Sequence, residues 1–185
     1  MTLLDEGADF TAVDSKGNFS LHLTLHQGHS HVAALTISRF DSPLHGRPLS
    51  LLNKANLEGM TVLFYAAERD LPALAKALLE RGVNPDTMDY HARTPLYYAA
   101  KSGRADFIKE LISHGAKTNQ TFQLLRSIPL HDACYRGHAD AIEALTVNVS
   151  DLLLEDSWGR TPLAAACAGG HLQAVKALVG HYDMV

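Results

Sequence analysis

The stretch TPLYYAAKSGRADFIKELISHGA, residues 94–116, carries the pattern that decides the fold. Each of its halves places small and apolar residues three and four positions apart, which is the spacing of one helical face. Gly103 separates the halves, and Gly115 follows the second half, where helices commonly end. Pro95 stands at the start of the first half, where its missing N–H costs no hydrogen bond. The stretch therefore predicts a helix, a tight turn and a second helix.

The same pattern occurs five times along the 185 residues. The leucines that open the five copies lie 42, 33, 34 and 33 residues apart. Three nearly equal steps indicate an internal repeat of about 33 residues. The extra length of the first step falls most simply at residues 39–48, RFDSPLHGRP, where two prolines and a glycine predict an irregular surface loop. The leucines are Leu21, Leu63, Leu96, Leu130 and Leu163.

Helix–turn–helix units at this period, with a start such as Thr-Pro-Leu, resemble the ankyrin repeat. The resemblance covers nearly the whole chain. It implies an all-α solenoid of stacked helix pairs with β-turn or hairpin fingers and a concave protein-binding face. The predicted units are a partial repeat at 1–13, a repeat with the inserted loop at 14–55, repeats at 56–88, 89–122 and 123–155, and a C-terminal repeat at 156–185.

The chain departs from the family pattern at a pair of polar residues. The family's Thr and His usually hydrogen-bond each other within a repeat, but no repeat here keeps both: Thr94 lacks the His, and His22 and His131 lack the Thr. We therefore expect packing to replace this hydrogen bond and stability to be modest. Both ends resemble interrupted repeats without a polar cap, so we expect either a fragment of a longer stack or end faces that pair with another molecule.

Composition narrows the class of protein. Lys and Arg number 16 against 20 for Asp and Glu, a net charge of −4, so the basic field of a nucleic-acid binder is missing. No apolar run approaches the roughly 18 residues of a membrane span. With no visible secretory signal and only two cysteines, a reducing compartment is favoured: the cytoplasm, with the nucleus as the alternative.

Several histidines and cysteines could form a metal site or a catalytic site, but they occupy equivalent positions of different repeats. Such a shared position is called a slot below. His22 shares its slot with His131, so the repeat explains it without the metal that the nearby His26, His29 and His31 would otherwise suggest. Cys134 and Cys167 also share a slot. Stacked helices lie roughly 8–10 Å apart, beyond the Cα distance of about 7 Å that a disulfide allows, so we expect two buried small hydrophobic residues.

The chain shows no phosphate-binding loop and no catalytic motif. We therefore expect no enzymatic activity, no cofactor and no metal within it. The leading hypothesis is a protein–protein interaction module or scaffold, either monomeric or part of a longer chain. The alternative is a targeting or regulatory segment of a larger multidomain enzyme, of the ligase or kinase type, whose catalytic part lies outside these residues.

The predicted binding surface comprises fingertip residues and the exposed side of the first helices. Arg, Tyr and Trp dominate interface energetics, and they are concentrated here. The predicted cations, opposed only by Glu58 and Glu68, favour an acidic or aromatic-accepting partner segment, such as a peptide. For Asp132, a polar contact on the concave face and a plain solvated side chain are equally favoured. The predicted partner-binding residues are Tyr90, His91, Arg93, Lys101, Tyr135, Arg136, Trp158 and Arg160, with apolar surface from Leu57, Met60, Leu124 and Leu125.

Overall fold

The structure, a computed structural model, describes residues 12–38, 49–122 and 125–182. These residues form helix pairs that repeat along the chain, as the all-α solenoid prediction requires, with isolated β-bridges and no regular strand among them. The helices are α1 Ser20–His26, α2 Ser30–Ser38, α3 Val62–Glu68, α4 Pro72–Leu79, α5 Pro95–Lys101, α6 Ala105–Ser113, α7 Pro129–Arg136, α8 Ala139–Leu145, α9 Pro162–Gly169 and α10 Leu172–Tyr182. Two short 3₁₀ helices, η1 Leu49–Asn53 and η2 Val149–Leu153, precede the second and fifth pairs.

The first helices of successive pairs pack on one another, and so do the second helices, which forms one continuous core. Phe64 and Phe107 are among the largest fully buried side chains in that core. Within the described ranges the longest helix, α10, has 11 residues, and none is long and apolar enough to cross a membrane. The predicted loop at 39–48 and most of the partial repeat at 1–13 lie outside the described residues.

The turn between the two helices of a pair uses the left-handed backbone conformation. Gly137 ends α7 with φ of +78°, and its N–H donates to the carbonyl of Cys134 at 3.1 Å. A Cβ on Gly137 would lie 2.4 Å from the His171 ring, so the next pair packs directly against this turn. The sequence prediction of a glycine turn is therefore confirmed, and close packing adds a second reason for the glycine.

One of the two cysteines is not buried as expected. Cys134 is fully buried under α9, whereas Cys167, in the same slot of the next repeat, is exposed. The prediction for Cys167 was wrong because burial of this position depends on the helix pair that follows, and among the described residues no further pair follows α9 and α10. The same reasoning applies to Val179, which is 48% exposed, while Thr146 in its slot is 5% exposed.

Each pair is preceded by a finger, a tight turn that projects from the helices. In four fingers a side-chain oxygen at the first position accepts the backbone N–H groups two and four residues later; these residues are Asp14, Asn56, Asp89 and Asp156. Backbone hydrogen bonds also join neighbouring fingers, such as the bond from Leu57 N–H to the Lys16 carbonyl at 2.9 Å. The fingers span 14–18, 56–60, 89–93, 122–127 and 156–160, of which 123 and 124 are outside the described residues.

Buried histidines join two repeats, which corrects the expectation that packing replaces the family's hydrogen bond. His22 Nδ1 accepts the N–H of Phe19 at 3.3 Å, and its Nε2 donates to the carbonyl of Met60 in the second finger at 3.1 Å. His131 makes the same links in the fourth repeat, with the Arg160 carbonyl at 2.9 Å. Where Thr stands instead, it caps the helix: Thr94 Oγ1 accepts the N–H of Tyr97.

The fourth position of the finger should favour glycine. In the four fingers that are closed by a side-chain oxygen this residue has positive φ: it is Gly17, Gly59 and Gly159 in three of them, but Ala92, with φ of +56°, in the third finger. A side chain in the left-handed region costs about 1–2 kcal/mol, partly offset by the backbone entropy that glycine loses on folding. We therefore expect Ala92→Gly to raise the free energy of unfolding in urea by about 1 kcal/mol. Gly159→Ala, where a Cβ meets nothing within 4 Å, should lower it by a similar amount. Equal stability of both variants and the wild type would contradict this account.

Stability should depend on pH through His22. Burial lowers the pKa of His22 from 6.5 to about 4, so the folded protein binds a proton less readily than the unfolded chain. The stabilisation is complete above pH 6.5 and is lost as the pH falls towards 4. Between pH 7 and pH 5 this one residue should account for about 2 kcal/mol of the decrease in unfolding free energy.

Urea titrations at both pH values test this expectation. His22→Gln cannot be charged and should show a correspondingly smaller decrease between pH 7 and pH 5. His29→Gln, at an exposed position, is the matched control and should keep the full decrease. A full decrease in His22→Gln would show that this histidine is not the titrating group.

Candidate partner-binding surface

Two recesses lie between the fingertips and the first helices, and they collect seven of the eight predicted residues. The fifth-finger recess, about 390 Å³ in volume, brings together Tyr135, Arg136, Trp158 and Arg160. The third-finger recess, about 240 Å³, contains Tyr90, His91 and Arg93. Lys101 lines neither; it is half-buried at the end of α5, where its carbonyl accepts a hydrogen bond from His138 Nε2 at 3.1 Å.

Aromatic side chains stand out from this surface. Tyr90 is 71% exposed, Trp158 62% and Tyr135 50%, so three large rings face solvent on this surface. Leu57 and Leu125 are also exposed, as predicted. Met60 is buried, so its predicted contribution of apolar surface was wrong; this last residue of the second finger belongs to the hydrophobic core. Leu124 lies outside the described residues.

A buried carboxylate organises the fifth finger. Asp156 Oδ1 accepts the N–H groups of Trp158 and Arg160 at 2.9 Å each. Its Oδ2 accepts Nε and Nη2 of the Arg160 guanidinium at 2.9 and 2.8 Å. Burial alone would raise the pKa of Asp156, but the hydrogen bonds from Arg160 hold it below its usual value. Backbone turn and arginine are therefore fixed by the same carboxylate.

The fixed arginine in turn positions the aromatic rings of the recess. The guanidinium carbon of Arg160 lies 4.6 Å from the ring centroid of Trp158 and 5.8 Å from that of Tyr135. Both distances are within the range of cation–π attraction. Trp158 is thus held in place while more than half of its surface faces solvent. An aromatic residue that is ordered before binding loses less conformational entropy when a partner covers it.

The third finger repeats this arrangement with different aromatic residues. Asp89 Oδ2 accepts the Arg93 Nε at 2.8 Å, Arg93 Nη2 lies 2.7 Å from it, and the Tyr98 hydroxyl donates to the same oxygen at 2.9 Å. The Arg93 guanidinium lies 5.0 Å from the Tyr98 ring centroid. The third-finger recess also contains Glu58 and Glu68, so its lining is acidic.

The predicted excess of positive charge on this face was too large. Arg93 and Arg160 are each neutralised by a carboxylate of their own finger, Asp89 and Asp156, which the sequence interpretation did not count. The error was avoidable, since Asp and Arg stand four residues apart in both fingers. Arg136 differs, because its side chain is 44% exposed and its ion pair with Asp132 has an N–O distance of 3.9 Å.

Asp132 faces the fifth-finger recess and is not a fully solvated side chain. Its side chain is 18% exposed, and burial raises its pKa despite the opposing charges of Arg136 and Lys101. The sequence did not identify two aromatic residues that line the same recess. Tyr97 and Phe122 form a ring pair with centroids 4.5 Å apart. No motif marks these two rings, because their contact depends on how the fourth finger packs against α5.

No three or more His, Cys, Asp or Glu side chains within residues 12–38, 49–122 and 125–182 are grouped so as to hold a metal ion. His22 is hydrogen-bonded through both ring nitrogens to backbone groups, as the repeat interpretation requires. The surface offers hydrogen-bond donors, aromatic faces and a buried carboxyl, which suit the binding of a peptide or protein segment.

Removing the Asp156 carboxylate should destabilise the fifth finger. Asp156→Ala leaves two backbone N–H groups and the Arg160 guanidinium without their acceptor, so we expect the unfolding free energy to fall by about 2–3 kcal/mol. Glu155→Ala, at the exposed neighbouring position, is the control and should change it by less than about 0.5 kcal/mol. Chemical denaturation measures both, and equal effects would contradict the assigned role.

Comparison with known proteins agrees with the geometry. A family model described as ankyrin repeats in three copies matches residues 1–89, 44–122 and 124–184. A putative E3 ubiquitin-protein ligase, XBAT31, of Arabidopsis thaliana is 34% identical over 111 residues, which is 60% of this chain and 24% of that protein. The B-cell lymphoma 3 protein homolog of Mus musculus is 30% identical over 163 residues, 87% of this chain and 35% of that protein.

A shorter relative is covered more completely. Cyclin-dependent kinase 4 inhibitor B of Bos taurus is 33% identical over 98 residues, which is 53% of this chain and 74% of that protein. The chain therefore spans about a quarter and a third of the length of the two longer relatives, and about three quarters of this one.

Proposed function

The chain belongs to the ankyrin-repeat family, whose repeats generally serve as protein-interaction modules, and we propose that it binds a partner protein through its concave surface, centred on the fifth-finger recess. The observation that carries this proposal is the exposed, preordered pair of Trp158 and Tyr135 around a fixed arginine. Preordered aromatic residues next to a recess are the usual centre of binding energy in protein interfaces. Free cysteines favour a reducing compartment, and we propose the cytoplasm, with the nucleus as the alternative.

We propose an acidic segment with a neighbouring apolar or aromatic residue as the bound part of the partner. Arg136 supports the acidic residue, because it is exposed and its nearest carboxylate is at 3.9 Å. Trp158 supports the apolar residue, because one ring face lies on Arg160 and more than half of the side chain is exposed. The acidic third-finger recess would then exclude a partner that is acidic along its whole length.

A second candidate is a targeting or regulatory segment of a multidomain enzyme. The relatives of greater length include the putative ligase and a tyrosine-protein kinase, Shark, of Drosophila melanogaster, of which the chain covers 11%. In that case the same surface would position a substrate or regulator for a catalytic part elsewhere. The full-length reading frame distinguishes the two candidates: catalytic motifs in flanking sequence favour the enzyme, and further repeats alone favour the interaction module.

The test is capture of the partner followed by measurement of affinity. Trp158→Ala and Arg136→Ala should each weaken binding by at least about 1 kcal/mol, roughly a fivefold rise in Kd. Isothermal titration calorimetry with the captured partner, or with its minimal segment, gives the value.

Two variants serve as controls outside the concave surface. Lys109→Ala on α6 and Leu172→Ala on α10 remove exposed side chains, 65% and 64% exposed, and should leave the Kd unchanged. Unchanged binding by both Trp158→Ala and Arg136→Ala would show that the binding surface lies elsewhere.

A further inference from the structure

We propose that the fifth-finger recess takes a carboxyl side chain of the partner together with one proton, which that carboxyl shares with Asp132. The inference rests on the proposed function and deepens it, since it names the group that enters the recess and the condition under which it binds. Asp132 is then a specificity-determining residue that opposes the ligand when ionised and holds it when the pair shares a proton.

The first step is the incomplete pairing of Asp132. Its carboxylate lies in the wall of the recess with 18% of the side chain exposed, and Arg136 Nε is 3.9 Å from Oδ1, too far for a hydrogen bond. The buried carboxylates of the fingers accept several N–H groups each, whereas Asp132 has a side-chain hydrogen bond from Ser127 and no such set of N–H donors among the described residues. It faces Tyr97 and Lys101 from α5, His131, Tyr135 and Arg136 on its own helix, Ser127 from the fourth finger and Arg160 from the fifth.

The second step is the sign of the recess. Arg136 is exposed, and Arg160 uses only Nε and Nη2 on Asp156, which leaves Nη1 with no hydrogen bond to a described residue. These two guanidinium groups can donate to an incoming carboxylate. A lysine or arginine from the partner would instead meet the like charge of Arg136, whose ion pair with Asp132 is long, at 3.9 Å. The donors favour an anion, although Asp132 lines the same space.

The third step resolves that conflict. Two carboxylates in one site cannot both be ionised cheaply, so they share a proton and titrate as a pair. Burial already raises the pKa of Asp132, and the added anion would raise it further. Binding therefore takes up a proton. Affinity should increase as the pH falls, by up to one factor of ten in Kd per pH unit. A lysine salt-bridged to Asp132 would give the opposite pH dependence.

Removing the charge of Asp132 should reproduce the effect of the proton. Asp132→Asn keeps the shape and offers an N–H donor to the incoming carboxylate. We expect it to bind at least about fivefold more tightly than the wild type at pH 7.5 and to lose most of the pH dependence. Asp132→Ala is a second variant that should do the same more weakly. Alanine occupies the corresponding position of the last repeat, Ala165, so the fold accepts it.

The experiment begins with a displayed library of random twelve-residue peptides, selected on the full 185-residue chain and counter-selected on Trp158→Ala. The strongest peptide is synthesised with a fluorophore, and its Kd is measured by fluorescence polarisation at pH 5.5, 6.5 and 7.5. We expect selected peptides with Asp or Glu beside an aromatic or aliphatic residue, and at least a threefold tightening per pH unit. Replacing that acidic residue by its amide should weaken binding to the wild type.

Asp140→Asn, at an exposed position on α8, is the matched control and should behave as the wild type. Circular dichroism and thermal melting establish that each variant is folded. Weaker binding by Asp132→Asn, basic selected peptides, or a Kd independent of pH in the wild type would overturn the inference while the proposed surface still stands. Failure to select any peptide, or peptides that bind Trp158→Ala as well as the wild type, would overturn both.

Discussion

One side-chain oxygen at the start of a finger holds the local structure on which the binding surface depends. The oxygen accepts the N–H groups two and four residues later, which closes the turn. It also gives two backbone N–H groups a hydrogen-bond acceptor that they would otherwise lack. In the fifth finger that oxygen belongs to Asp156, and the residues it holds are Trp158 and Arg160. The exposed tryptophan is therefore part of a rigid turn.

The fingers are fixed to the helices by buried histidines as well as by packing. His131 links the start of its own helix to the carbonyl of Arg160 in the next finger, so the lining of the fifth-finger recess belongs to two repeats. Burial lowers the pKa of His131, which keeps the ring neutral and able to accept and donate at the same time. Acidification that charged these histidines would weaken the joint between repeats, and with it the recess.

Much of the fold could be predicted from the repeat period and from the equivalent positions that the repeats share. A helical face, a proline at a helix start and a glycine turn are all local sequence signals. The slot of His22 predicted a structural residue correctly. Burial could not be predicted in the same way, since it depends on a neighbour: Cys134 and Cys167 share a slot, but only Cys134 has a helix over it. The repeat period predicts the position of each residue within its repeat. It does not predict which residues of the next repeat pack against it.

Seven of the eight predicted residues line the two recesses, but the charge of this face was misjudged. Aromatic fingertip residues such as Trp158 were identified from their position in the repeat alone. The ion pairs of Arg93 and Arg160 could have been predicted from the aspartate four residues before each arginine. Tyr97 and Phe122 could not be identified, because their contact joins α5 to the fourth finger, which lies further along the chain. Asp132 was left between two interpretations, and the stacking of α5, α7 and the last two fingers places it in the recess.

The most direct measurement uses the single tryptophan of the chain, Trp158, which lies at the centre of the proposed surface and is 62% exposed. Its fluorescence emission and its quenching by acrylamide can be followed as a binding partner or selected peptide is titrated. If the partner covers the fifth-finger recess, the emission should shift to shorter wavelength and quenching should fall with the same Kd as binding. Saturable binding that leaves both properties of Trp158 unchanged would contradict the account.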